Sequence, residues 1–133
     1  MEENGNNKEE KGMISAVKYV VSNNYANFKG RASRSEYWYY NLATILLSMI
    51  INLVTKAIGV EAFFGEIGAI VYLLLLAPSI SVAVRRLHDT GHSGWCYLVG
   101  MIPLIGNLWL LYLLVKNSEK KDNFYGAYPP RYF

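Results

Sequence analysis

The sequence predicts an all-α integral membrane protein with a short interfacial helix, two spanning helices and a third, interrupted apolar segment. Two stretches are apolar enough to cross a hydrocarbon core of about 30 Å: residues 37–59 are long enough as a helix, and residues 67–84 nearly so. A polar block, residues 85–94, separates the second of these from a third apolar stretch at 95–115. The chain has 133 residues, of which 53% are hydrophobic, so we expect one membrane domain over residues 13–133.

The charge pattern excludes one function class. The net charge is +3, and the basic residues flank the apolar stretches instead of forming one patch. This distribution fits the positive-inside rule better than a nucleic-acid surface, so no nucleic-acid partner is expected.

The single cysteine, Cys96, excludes an intramolecular disulfide and is expected to be a small buried hydrophobe. The acidic, polar N-terminus lacks the pattern of a cleavable signal peptide, so we expect the first span to act as the insertion signal.

The N-terminal region divides into two parts. Residues 1–12 are almost all polar or charged and are predicted to be a disordered tail. Residues 13–22 place their apolar side chains on one side of a helix, which predicts a short amphipathic helix lying in the membrane interface. The alternative is that this helix simply packs against the rest of the domain.

The first span, residues 37–59, would be about 34 Å long as a helix. Ser33 or Ser35 is placed to cap it, and Glu36 falls in its first turn, where a negative charge is favourable. Trp38 belongs to an aromatic run of the kind found where a span enters the membrane.

The second span, residues 67–84, would be about 27 Å long and is expected to follow a short turn at 60–66. Pro78 lies inside it. A proline removes a backbone donor, which leaves the carbonyl of Leu74 free and favours a kink. Ser79 or Ser81 could relieve part of that loss.

The third apolar stretch, residues 95–115, has two interpretations. As one helix it would reach about 31 Å, enough for a kinked third span. Pro103, Gly106 and Asn107 interrupt its middle, however, and favour a re-entrant hairpin of two short helices. The polar tail, residues 116–133, is expected to be irregular.

The basic residues predict the orientation. Lysines and arginines before the first span and Arg85 and Arg86 after the second place the N-terminus and the 85–94 loop in the cytoplasm. The tail is basic as well, and three crossings would put it outside. A hairpin removes this conflict. Arg85 and Arg86 are expected to anchor the helix end or to contact anionic lipid headgroups.

Charged groups at the two helix ends are predicted to pair. Arg31, Arg34 and Glu36 precede or begin span one, and Arg85, Arg86 and Asp89 follow span two. If the spans are antiparallel neighbours, these groups share one level of the membrane. We therefore expect Glu36 to pair with Arg85 or Arg86, and Asp89 with Arg31 or Arg34. Such partly desolvated pairs would set the helix register.

No metal, cofactor or catalytic site is predicted. His88 and His92 would share a helix face, but Gly91 and Gly94 indicate a loop, and further ligands are missing. We expect His88 and Asp89 to form local hydrogen bonds. The spans carry no charge at mid-depth, which is unlike proton pumps. Asn41, Asn52 and Asn107 are expected to form helix–helix hydrogen bonds.

Three stretches together resemble a known family. They are residues 28–38, residues 85–95 followed by 102–106, and residues 123–126. Their order and spacing are similar to those of the domain-of-unknown-function 805 family of small bacterial inner-membrane proteins, where the position of His92 is commonly basic. The resemblance implies a cytoplasmic-membrane location and no particular activity. It adds the following structural or interaction candidates: Trp38, Gly91, Ser93, Gly94, Trp95, Pro103 and Gly106.

The expected function is a structural or interaction module in the bilayer that packs with itself or with another membrane protein. The alternative is a subunit of a small oligomeric transporter or channel. An enzyme acting on lipid headgroups at the basic face is the least favoured class, because no nucleophile–base pair is visible.

Overall fold

The protein is described by a computed structural model covering residues 11–133, so nearly all of the predicted disordered tail lies outside the described residues. Within them, regular structure is helical apart from one isolated bridge between Asn123 and Gly126. The elements are α1 (Met13–Lys18), which continues as a π-helical turn (Tyr19–Asn23), α2 (Arg34–Ile58), α3 (Glu61–Asp89), a 3-10 segment (Gly94–Met101) and α4 (Ile105–Val115).

Helices α2 and α3 are both long and apolar enough to cross a membrane. At 25 and 29 residues they are about 38 and 44 Å long. Helix α2 starts three residues earlier than predicted, because Ser33 is its cap: the Ser33 side chain accepts a hydrogen bond from the Glu36 backbone N–H at 3.2 Å. It ends at Gly59, whose φ of 69° is the left-handed conformation common at helix ends.

Helix α3 is longer than predicted at both ends. The expected turn over residues 60–66 is wrong, since only Gly59 and Val60 separate the two helices. The Val60 N–H donates to the Thr55 carbonyl, which tightens this connection, and Glu61 begins α3 where a carboxylate favours the helix dipole. At the other end the predicted 85–94 loop is helical through Asp89. The ionisable residues there are consequently held on a rigid element.

Pro78 leaves the Leu74 carbonyl free, as predicted, but the predicted partner is wrong. The Tyr25 hydroxyl donates to that carbonyl from the segment between α1 and α2. Ser79 instead donates to the Leu75 carbonyl at 2.7 Å, and Ser81 to the Pro78 carbonyl at 3.0 Å. A distant tyrosine thus satisfies the backbone group that the proline exposes.

The third apolar stretch is a hairpin, and the kinked-span alternative is wrong. The 3-10 segment packs directly on α4. A Cβ added to Gly106 would lie 1.9 Å from the Val99 carbonyl oxygen, so only glycine permits this approach. Leu104 adopts φ 63° in the turn, next to Pro103, whose carbonyl accepts from the Ile105 N–H at 2.8 Å. The chain therefore returns to the level at which it left α3.

Most of the tightly buried residues lie at one end of the molecule, where α2 begins and α3 ends; we call this the cluster end. One hydrophobic cluster there joins Val20, Ala32, Tyr40 and Val82, and a second joins Leu87, Leu113 and Leu114. Cys96 is only half-buried beside the second cluster, so it is less enclosed than expected. Beyond this end, the apolar side chains of both spans are largely exposed, as expected for lipid-facing surfaces.

Helix α1 packs against α2 and buries Ala16, the π-helical turn that follows buries Val20, and Ile14 on the other side of α1 is 80% exposed. The buried face agrees with ordinary packing. The exposed Ile14 side chain is compatible with a position in the membrane interface, which stays a prediction.

Candidate functional site

A buried ionic cluster occupies the cluster end. It consists of Arg31, Glu36, Arg85, Arg86 and Asp89, and none of the five is more than 9% exposed. The capped start of α2 positions Glu36, the last turns of α3 position the next three, and the segment before α2 supplies Arg31. The Ala32 N–H donates to the Arg85 carbonyl at 2.9 Å, which joins that segment to α3 through the backbone.

Asp89 is the centre of one half of the cluster. Its Oδ1 accepts from Arg31 Nε at 2.9 Å, and its Oδ2 accepts from Arg86 Nη1 and from the Ser118 hydroxyl. The pairing of Asp89 with Arg31 that the sequence predicted is present. The pair with Arg86, one turn earlier on the same helix, was not predicted.

Glu36 and Arg85 form the other half. Arg85 Nη1 lies 2.6 Å from Glu36 Oε1, so this predicted pair is also present. Its geometry departs from that of a good hydrogen bond, and Glu36 Oε2, Arg85 Nε and Arg85 Nη2 have no hydrogen-bond partner within residues 11–133. Arg34, the other predicted partner for Asp89, is exposed and makes no ion pair with any described residue.

Every guanidinium nitrogen of Arg31 and Arg86 donates to a backbone carbonyl or to the Asp89 carboxylate. Arg31 Nη1 donates to Lys121 at 2.8 Å and Nη2 to Glu119 at 2.7 Å. Arg86 Nε donates to Leu114 at 3.0 Å, and its Nη2 donates to the Lys116 carbonyl. Arg86 and Arg85 are 0% and 2% exposed, so both guanidinium groups point into the protein. This burial agrees with the predicted anchoring role of Arg85 and Arg86, and their contact with anionic headgroups stays a prediction.

His88 contacts residues that are distant in sequence, whereas His92 bonds to a neighbour two residues away. His88 Nδ1 is 3.0 Å from the Gly30 carbonyl, and its ring stacks on Tyr125 with centroids 3.9 Å apart. His92 Nδ1 lies 2.9 Å from the Thr90 carbonyl, and its ring meets the edge of Trp109. Within the described part of the chain, no group of three His, Cys, Asp or Glu side chains is placed to hold a metal ion.

The remaining predicted residues either form the connection between α3 and the 3-10 segment or have exposed side chains. Gly91, at φ 79°, follows the end of α3, and Ser93 caps the 3-10 segment by accepting from the Trp95 N–H at 3.4 Å. A Cβ on Gly94 would lie 2.6 Å from Val84, so the chain passes close to α3 there. Trp38 and Trp95 are 39% and 79% exposed, which fits aromatic residues placed against lipid.

The polar tail is the part of the site that sequence reasoning missed. It is irregular, as predicted, but it is docked: the Glu119 N–H donates to the Asp89 carbonyl at 2.9 Å, and the Phe133 N–H to the Ser35 hydroxyl at 3.0 Å. Asn123 donates to the His88 carbonyl and to the Glu119 carboxylate, both at 3.0 Å, and the second bond lowers the pKa of Glu119. The motif at residues 123–126 was the only signal of this contact.

A second feature is the groove between α2 and α3. Its volume is about 770 Å³, and its lining is mostly apolar, with a row of polar side chains on α2 and with Lys56 and Glu61 at its far end. It begins beyond the ionic cluster and runs along most of both spans.

A two-span helical bundle with a hairpin, closed at one end by a buried ionic cluster, defines a small polytopic membrane protein. The chain belongs to the family described as "Protein of unknown function (DUF805)", whose model matches residues 25–127. It is 35% identical over 111 residues to "Inner membrane protein YhaH" of Escherichia coli (strain K12), covering 82% of this chain and 92% of that protein. It is 36% identical over 109 residues to "Inner membrane protein YhaI" of the same strain, covering 82% and 91%. No solved structure matches. The protein is therefore a bacterial inner-membrane protein of this family, and nothing in its relatives points to catalysis.

Proposed function

We propose that this protein is a non-enzymatic interaction module of the bacterial inner membrane. The observation that carries the proposal is the saturation of the Arg31 and Arg86 guanidinium groups by the chain's own carboxylate and carbonyl oxygens. Charges used in this way fix the register of α2, α3, the hairpin and the tail, and the guanidinium groups of Arg31 and Arg86 have little capacity left for a ligand. The surfaces open to partners are the lipid-facing helices, whose side chains are mostly exposed.

We propose further that the cluster end faces the cytoplasm. The N-terminal segment, the end of α3 and the tail all meet there, and the chain's basic residues concentrate in these three regions. Fluorescent protein and alkaline phosphatase reporters, fused separately after Phe133, test this orientation. Fluorescence without phosphatase activity is expected, and the reverse result overturns it.

The proposed partners are the bilayer and a membrane protein, either this chain or another. Exposed Arg34, next to the aromatic run that includes Trp38, is the candidate contact for anionic headgroups. Cross-linking in native membranes, followed by identification of the neighbours, tests the module directly. Specific neighbours support it, and an isolated chain under all cross-linking conditions contradicts it.

The groove favours a second candidate, a subunit of a small oligomeric transporter. Polar side chains along one wall of a mostly apolar groove are one feature that a transport path needs. Purified protein in liposomes would then give solute or ion flux above that of empty liposomes. The absence of flux across ion and solute panels weighs against this candidate and leaves the interaction module in place.

A further inference from the structure

Helix α2 carries a polar stripe at membrane depth. Its residues recur every three or four positions, so they lie on one helix face and extend over about 21 Å. All of them line the groove between α2 and α3. The polar stripe consists of Asn41, Thr44, Ser48, Asn52 and Thr55.

The hydrogen bonds of the stripe are incomplete within one chain. Asn41 and Asn52 each donate one amide hydrogen at 2.8 Å to their own helix, to the carbonyls of Tyr37 and Ser48. The Ser48 hydroxyl likewise donates to the Ile45 carbonyl at 2.8 Å. The Asn41 side chain also hydrogen-bonds the Tyr37 side chain, whereas the Asn52 amide oxygen accepts no hydrogen bond from the residues that the structure describes. Ser48 and Asn52 are also exposed, near the middle and the far third of the span.

Such groups need a protein partner in a bilayer. Hydrocarbon chains offer no donors or acceptors, so an exposed amide at this depth is stabilised by a neighbouring helix. The opposite wall of the groove leaves space for one, because a Cβ on Gly65 or Gly68 of α3 would meet nothing within 4 Å. The 21 Å stripe is as long as 14 residues of helix, which suits a helix as the occupant.

We propose that α2 of a second copy of this chain occupies the groove, so that the two polar stripes face each other. This inference rests on the proposed interaction module and names its partner. Asparagine amides and hydroxyls both donate and accept, so the stripe is complementary to itself. Two copies with the same topology are related by a two-fold axis along the membrane normal, which brings Asn52 level with Asn52 and Asn41 level with Asn41.

Disulfide cross-linking in native membranes tests the proposal. Cys96→Ser removes the native thiol, and Ser48→Cys then places one thiol on the stripe. Ile50→Cys in the same background is the matched control: it is at almost the same depth but about 200° around the helix, on an exposed face. Oxidation is expected to give a disulfide-linked dimer several-fold more efficiently from position 48 than from position 50. Equal or lower yield at position 48 overturns the proposal.

A second variant tests the hydrogen bonds and not only proximity. Asn52→Leu keeps the helix apolar and similar in volume, and it removes one self-complementary contact. It is expected to lower the dimer association constant, measured by energy transfer between labelled copies in liposomes, by about 3- to 30-fold, from 0.6–2 kcal/mol per interhelical bond. An unchanged constant overturns the role of the stripe.

The outcomes separate this inference from the function on which it rests. If Ser48→Cys cross-links only to other proteins, the second copy is wrong as the occupant and the interaction module stands. If neither position forms a disulfide-linked dimer, the second copy is wrong as the occupant, and the interaction module is overturned only if the general cross-linking in native membranes also finds an isolated chain.

Discussion

Replacing Asp89 with asparagine tests whether the ionic cluster determines the stability of the fold. Asp89 is fully buried and is the carboxylate that neutralises both Arg31 and Arg86. In Asp89→Asn, two buried guanidinium groups would share one neutral acceptor. Removing one partner of a buried ion pair costs about 3–5 kcal/mol, a large part of a typical stability of about 5–15 kcal/mol. At roughly 3 °C per kcal/mol, the melting temperature falls by about 10 °C or more.

The assay is thermal unfolding of the detergent-purified protein, followed by tryptophan fluorescence and by the fraction that remains monodisperse after heating. Glu66→Gln is the matched control, because it also removes one carboxylate but at an exposed position on α3. It should change stability by less than about 0.5 kcal/mol. The reasoning is refuted if Asp89→Asn melts within about 2 °C of the control.

Three further predictions follow from the same contacts. Glu36→Arg or Arg85→Glu alone should destabilise the protein by at least about 3 kcal/mol, and the double swap should recover most of the loss in the same melting assay; a swap that is no better than the single changes contradicts the pairing. Tyr25→Phe should lower the free energy of unfolding by about 1–3 kcal/mol, because it leaves the Leu74 carbonyl unsatisfied. In the Pro78→Ala background the backbone N–H of residue 78 can donate to that carbonyl, so Tyr25→Phe should have little effect there; additive losses would count against this explanation. Gly106→Ala should destabilise the hairpin by about 1–3 kcal/mol or more through steric overlap, whereas Gly65→Ala, with open space around it, should not; equal effects on melting would disprove the close approach.

The sequence predicted the features that depend on residue type and spacing. Apolar length predicted both spans. The positions of charged residues at neighbouring ends of antiparallel helices predicted the pairs Glu36–Arg85 and Asp89–Arg31. The conflict between three crossings and a basic tail correctly favoured a hairpin at Pro103 and Gly106. Each of these predictions rests on a continuous stretch of the sequence or on opposite charges expected at the same membrane depth.

Contacts to backbone carbonyls could not be predicted in this way. Arg86 binds the carbonyls of Leu114 and Lys116, and every residue has a carbonyl, so no residue type marks the partner. The same reasoning explains why Tyr25 was missed as the partner of the Leu74 carbonyl. The extent of α3 was underestimated because its polar ends lack the apolar periodicity on which the prediction relied.

The docking of the tail has a consequence for the order in which the protein is made. Apart from that of Asp89, the carbonyls that accept from Arg31 belong to Glu119, Lys121 and Gly126, all of them in the polar tail. Ribosomes synthesise Arg31 long before these residues exist, so until then the arginine has at most Asp89 as a partner. Docking of the tail on Arg31 is therefore a late step of folding, which can occur only after nearly the whole chain has been synthesised.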